Sequence, residues 1–197
     1  MKAFKIAFVI IGLTAGTTFA SDFSFTGNLN NNNEVQPFFF TVAEPTTITL
    51  QTFSYDGGTN AAGTAIPGGG FDPIISLFDA ISGRLITLND DSRPSWDSFI
   101  QMDLNAGNYF AALTQFSSFP AGSVLSDGFR GTGGDRTDLH WAVDILNASS
   151  ASVGVPYISP IPEPETYAMF LAGLSLLGWR MHRSAVLQSN RQGLLEA

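Results

Sequence analysis

Eight short stretches read as strands, several of them alternating apolar and polar residues with a period of two: residues 23–29, 35–42, 46–53, 74–78, 85–88, 99–104, 108–116 and 139–146. That period puts successive side chains on opposite faces of a strand. In 46–53, Ile48 and Leu50 fall on one face. In 99–104, Phe99, Gln101 and Asp103 oppose Ile100, Met102 and Leu104. In 139–146, Leu139, Trp141, Val143 and Ile145 form one set. Gly, Asn, Asp and Pro clusters separate the stretches, and residues 79–83 read as a turn between two of them. The pattern predicts an all-β, antiparallel sandwich or barrel over residues 21–147. No stretch of this body carries a long helical period.

Two segments interrupt the alternation. Residues 55–70 are rich in Gly, Thr and Ala, and residues 121–138 hold Gly122, Gly128, Gly131, Gly133 and Gly134. Both are expected to be surface loops. From 148 to 161 the composition shifts to Ser, Ala and Pro, which reads as a linker.

The two ends differ in kind from the body. Lys2 and Lys5 precede an apolar run, and Thr17-Thr18-Phe19-Ala20 follows it. This is the charged, apolar and small-residue order of a secretory signal peptide over residues 1–20, with the run expected to be helical and cleavage expected after Ala20. Near the other end, Pro162-Glu163-Pro164 precedes fourteen uncharged residues, 166–179, and then Arg180 and Arg183. The prolines fix two φ angles and hold the approach extended. As a helix, the apolar run is roughly 21 Å long. A hydrocarbon core is about 30 Å thick, so the run is a short span and a poor permanent anchor. Arg180 and Arg183 belong on the cytoplasmic side, as do Lys2 and Lys5, which puts the body outside the inner membrane. Residues 184–197 extend beyond the basic cluster and are expected to form a cytoplasmic tail.

Charge narrows the choice of partners. No lysine follows Lys5, and residues 21–160 carry fourteen Asp and Glu against four Arg, a net charge of −10. Phosphate contacts need a basic surface, so nucleic acid is excluded as a partner. Cysteine is absent, so the domain depends on its core or a bound ion rather than on disulfides.

The densest polar stretch is Asn89-Asp90-Asp91-Ser92-Arg93-Pro94-Ser95-Trp96-Asp97-Ser98, with Asp72 upstream in Gly70-Phe71-Asp72-Pro73. Hard cations such as Ca2+ take several oxygen ligands. Asp90, Asp91 and Asp97 offer three carboxylates, and Asn89 or Asp72 a fourth oxygen donor. The spacing is not that of an EF-hand loop. The competing reading is that these side chains cap turns by accepting nearby backbone N–H groups.

The run from Gly70 through Asp79, Gly83, Leu88-Asn89-Asp90-Asp91, Asp97-Ser98 and Leu104-Asn105-Ala106-Gly107-Asn108-Tyr109 resembles bacterial pre-peptidase C-terminal-like domains. The resemblance implies a non-catalytic, jelly-roll-like β-sandwich module of exported proteins. Some members of that group bind calcium, which implies a role for Asp90 and Asp91. The glycine loop at 121–138 departs from the compact pattern.

Catalytic signals are sparse. His140 is the body's only histidine, and a Ser–His–Asp set would have to draw on Ser123 or Ser126, His140 and Asp144 without a Gly-x-Ser-x-Gly elbow. Asn147-Ala148-Ser149 matches a glycosylation sequon, a triplet common by chance. Trp96, Trp141 and the phenylalanines are expected in the core.

The tripartite C-terminal segment, residues 162–183, resembles the PEP-CTERM sorting signal of Gram-negative bacteria. The residues that carry the likeness are Pro162-Glu163-Pro164, the apolar run from Tyr167 to Trp179, and Arg180 with Arg183. The resemblance implies recognition at Pro162, Glu163 and Pro164 by exosortase, a membrane-embedded transpeptidase. It also implies transient tethering in the inner membrane, then passage to the periplasm, the surface or an extracellular polysaccharide matrix. Members of that family usually end soon after the basic cluster, whereas this chain continues for fourteen residues. The expectation is therefore a non-enzymatic exported protein sorted through its C-terminal signal. A calcium- or carbohydrate-binding adhesion module and a secreted hydrolase are the alternatives.

Overall fold

A computed structural model describes residues 20–131 and 133–158. The signal segment, Pro162, Glu163, Pro164, the apolar run, Arg180, Arg183 and the tail lie outside the described residues. No helix among those described is long and apolar enough to cross a membrane.

All eight expected strands form: β1 (Ser21–Asn28), β2 (Glu34–Val42), β3 (Thr46–Thr52), β6 (Pro73–Asp79), β7 (Leu85–Asn89), β8 (Phe99–Leu104), β9 (Gly107–Gln115) and β10 (His140–Ala148). Four short strands join them: β4 (Gly58–Thr59), β5 (Ala65–Ile66), β11 (Ser150–Val153) and β12 (Tyr157–Ile158). One sheet runs β1-β10-β3-β8, and the other runs β11-β2-β9-β6-β7 with β12 also on β2. The pairings β1–β10, β2–β9, β3–β8 and β6–β7 are all antiparallel and nest one inside the next.

The main core lies between the sheets. Phe38 and Phe40 of β2, Ile48 and Leu50 of β3, and Trp141, Val143 and Ile145 of β10 are all buried there. The alternation seen in the sequence is therefore the inward face of each strand. Phe38 meets the Trp141 indole edge-on, with centroids 5.4 Å apart at 88°, a favoured geometry for aromatic pairs. Gly27 pairs directly with Trp141 across β1 and β10. A Cβ at Gly27 would fall on the indole ring, so the close approach requires glycine.

A second, smaller core covers the outer face of the larger sheet. Val35, Phe78, Phe110 and Ala112 are buried under Phe129, with Leu85 and Leu125 packed against them. Phe129 and Leu125 come from the 121–138 segment. That loop thus caps a hydrophobic face, and it contains a single 3-10 turn at Leu125–Asp127. As a result β6 is buried on both faces.

Two sequence expectations need correction. Residues 150–153 and 157–158, read as part of a linker, pair with β2 as edge strands. Strand pairing is made by backbone groups, so a segment without alternating apolar residues can still add to a sheet edge. Residues 55–70 are also more ordered than a plain surface loop. They contain the β4–β5 hairpin, and Ala61 N–H donates to the buried Asp144 carboxylate at 2.7 Å.

Replacing Gly27 with Ala forces Trp141 to move, and overpacking of this kind costs about 1–3 kcal/mol. Urea unfolding of Gly27→Ala should show a lower midpoint with an unchanged slope.

Candidate functional site

The candidate site forms where β6 begins and β7 ends. In the β6–β7 register Ile75 sits opposite Asn89. The residue just before β6, Asp72, is therefore carried next to Asp90 and Asp91, just after β7. One carboxylate oxygen from each of the three lies within 4.8 Å of the others. Asp72 is buried at 8% exposure, Asp90 is half-buried and Asp91 is exposed. The buried oxygens Oδ1 of Asp72 and Oδ1 of Asp90 have no hydrogen-bond partner among the described residues. Unpartnered buried oxygens are costly and uncommon in folded proteins.

Ser98, at the start of the approach to β8, holds this end of the sheet together. Its hydroxyl lies 2.7 Å from the Pro73 carbonyl, 2.8 Å from that of Asn89 and 3.0 Å from that of Asp90. A serine hydroxyl has one proton, so it donates to one of the three at a time. It also accepts from Ile75 N–H at 3.2 Å. The segments that carry Asp72 and Asp90 are thus pinned to one buried side chain.

The structure divides the four acids named from sequence. Asp72, Asp90 and Asp91 converge, and Asp97 does not join them. Its Oδ1 accepts from Thr52 Oγ1 at 2.8 Å, Ser54 N–H at 2.7 Å and Tyr55 N–H at 3.1 Å, and its Oδ2 from Asp56 N–H at 2.9 Å. Asp97 is thus a turn clamp, and its assignment as an ion ligand is corrected: both oxygens are occupied by donors. Asn89 is likewise consumed, accepting from Phe99 N–H at 2.8 Å and donating to the Asp91 carbonyl at 3.1 Å.

The convergence perturbs the acids. Burial, then the charges of Asp90 and Asp91, push Asp72 from 3.8 up to about 7, against a smaller lowering by Arg136. Burial, then Asp91, push Asp90 up to about 6. Such clustering of displaced values at a cleft marks functional sites more often than chance. Oxygen is the only ligand chemistry offered, which suits Ca2+ or Mg2+ and not Zn2+.

A groove of about 600 Å3 adjoins the cluster, lined by Asp91, Arg93, Pro94, Ser95 and Trp96. Trp96 was expected in the core, but it is 51% exposed, whereas Trp141 is buried at 4%. Trp96 stacks on Tyr55 with centroids 5.3 Å apart and planes 12° apart. The Arg136 guanidinium carbon lies 5.5 Å from the centre of the Tyr55 ring. The sequence offered one hint of this platform: Trp96 sits inside a Ser, Pro and Asp turn rather than in an alternating stretch.

The residues of the conceivable catalytic triad are dispersed into other contacts. His140 Nδ1 lies 2.7 Å from Asp138 Oδ1, and its Nε2 lies 2.9 Å from the Pro67 carbonyl. Asp144 Oδ1 accepts from Ser24 Oγ at 2.6 Å. Neither His140 nor Asp144 is bonded to Ser123 or Ser126.

Residues 160–184 match the family model described as the PEP-CTERM protein-sorting motif. The match covers Pro162, Glu163, Pro164, Arg180 and Arg183. No curated protein matches the chain significantly.

The acidic cluster sets a pH dependence. Asp72 and Asp90 bind protons more tightly when folded than at the unfolded value of 3.8. Their contribution to stability is therefore complete below that value and is lost as pH rises through about 6 and about 7. In chelator, the thermal midpoint should fall across this window, and Asp72→Asn should flatten the fall.

Proposed function

We propose that this chain is an exported, non-enzymatic display protein that an exosortase-type enzyme processes at its C-terminal signal. The observation that carries this reading is the sorting-motif match over residues 160–184. Pro162, Glu163 and Pro164 serve as the recognition element, and Arg180 and Arg183 keep the end of the short span cytoplasmic. The inner membrane is a transient tether. The acidic β-sandwich passes on to the periplasm, the cell surface or an extracellular polysaccharide matrix. The engagement of His140 and Asp144 in structural contacts supports a non-catalytic role. Deleting Pro162–Glu163–Pro164 should leave a heavier, membrane-associated product in fractionated cells, measured by mass spectrometry. An unchanged mature mass and location would remove the sorting claim.

The sandwich itself is read as a jelly roll. Its nested pairings, β1 with β10, β2 with β9, β3 with β8 and β6 with β7, support that wiring, because a folded-over antiparallel ribbon rolled into two sheets produces this order.

A second reading concerns the cluster. We infer that Asp72, Asp90 and Asp91 hold a calcium ion, with Asp97 and Ser98 fixing the loops around it. The unpartnered Oδ1 atoms of Asp72 and Asp90 support this, since a cation would satisfy both and remove the repulsion among three carboxylates. Calcium should then raise the thermal midpoint, because a ligand that binds only the folded state stabilises it. Asp90→Ala/Asp91→Ala should abolish the shift. Asp97→Ala should lower the midpoint with and without calcium, since it leaves its donors without a partner at about 1–3 kcal/mol each where they are buried. A midpoint that calcium leaves unmoved would sink the ion assignment.

A further inference from the structure

We propose that the groove beside the acidic cluster binds a neutral pyranose sugar. Two adjacent hydroxyls of the sugar would complete the coordination of the bound cation, and its ring would stack on Trp96. The proposal rests on the cation reading above and adds the ligand that the site takes.

Three observations point to this ligand. The first is coordination. Calcium takes about six to eight oxygen ligands. Asp72, Asp90 and Asp91 present one converging carboxylate oxygen each, so several positions are left to water or to a ligand. Asp91 is the exposed member of the cluster and also lines the groove, so it is shared by the ion position and the groove. Adjacent sugar hydroxyls are hard oxygen donors spaced to occupy two neighbouring positions.

The second observation is the platform. Trp96 is half-exposed, with one face held by Tyr55 at 12°. Arg136 is also within 5.5 Å of the Tyr55 ring centre. The indole is therefore backed by a stack rather than free to reorient, which lowers the cost of ordering it on binding. A pyranose presents a flat C–H face to an aromatic ring and hydroxyls at its edge. The groove volume of about 600 Å3 falls within the usual range for small-molecule sites.

The third observation is charge. Three carboxylates around a dication leave a net negative site, on a body whose charge of −10 over residues 21–160 includes those three. An anionic polysaccharide would be repelled. Arg93, which makes no ion pair among the described residues, lines the groove and offers guanidinium donors to hydroxyls without needing a carboxylate partner.

Affinity electrophoresis of the full chain in detergent tests this. The gels contain dextran or mannan, neutral polymers whose rings keep adjacent free hydroxyls, with dextran sulfate as the anionic comparator. At least one neutral polymer should retard the chain in calcium, and chelator should abolish the retardation. Trp96→Ala should weaken apparent affinity by roughly tenfold while keeping the calcium-dependent rise in thermal midpoint. Trp96→Phe should recover part of the loss. A chain that calcium stabilises but neither neutral polymer retards would overturn the sugar proposal and leave the ion assignment standing. Retardation that persists in chelator or in Trp96→Ala would also overturn it, as would stronger retardation by dextran sulfate. A midpoint unmoved by calcium would remove the ion assignment and this proposal together.

Discussion

Much of this domain's functional end depends on the buried Asp97-Ser98 pair. It lies where the chain passes from the β6–β7 hairpin of one sheet to β8 of the other. Ser98 faces three carbonyls from the ends of β6 and β7, and its N–H donates to Thr52 Oγ1 at 2.8 Å. Asp97 gathers the Thr52 hydroxyl and the N–H groups of Ser54, Tyr55 and Asp56. Two adjacent side chains thereby tie both sheets and the 55–70 segment together. A carboxylate that accepts several backbone N–H groups is among the stronger hydrogen-bonding arrangements available. It suits a joint in a protein without disulfides.

This joint makes an unfavourable feature tolerable. Burial disfavours the charged forms of Asp72 and Asp90, and the neighbouring carboxylates, Asp91 among them, add to that cost. Ser98 fixes the carbonyls on either side, and the β6–β7 register fixes the strand ends. The repulsion is therefore held in place rather than relieved by movement. The same rigidity presents the Tyr55–Trp96 stack, because Asp97 anchors Tyr55 through its N–H while Trp96 is the residue just before Asp97.

The rest of the body serves to carry that end. The core between the sheets is built from one face of each long strand, and the second core lets the larger sheet bury its other face beneath Phe129. The C-terminal sorting motif is a separate functional unit of the sequence, matched over residues 160–184.

The strands were legible because alternation is local. The alternating stretches needed only their own residues to declare an inward face, and the turn at 79–83 declared the hairpin that brings Asp72 to Asp90. The sorting motif was legible for the same reason, since its proline, apolar and basic parts are contiguous. Ser150–Val153 and Tyr157–Ile158 were not legible, because an edge strand takes its hydrogen bonds from β2, more than a hundred residues earlier. The sequence determined by itself the inward face of the alternating strands, the contiguous C-terminal sorting motif and the presence of an acidic, oxygen-rich loop. Only the tertiary structure decided that Asp97 clamps a turn and that Trp96 stands in solvent while Trp141 is buried. Those outcomes depend on which donors and rings arrive from distant strands, and the local pattern carries no record of them.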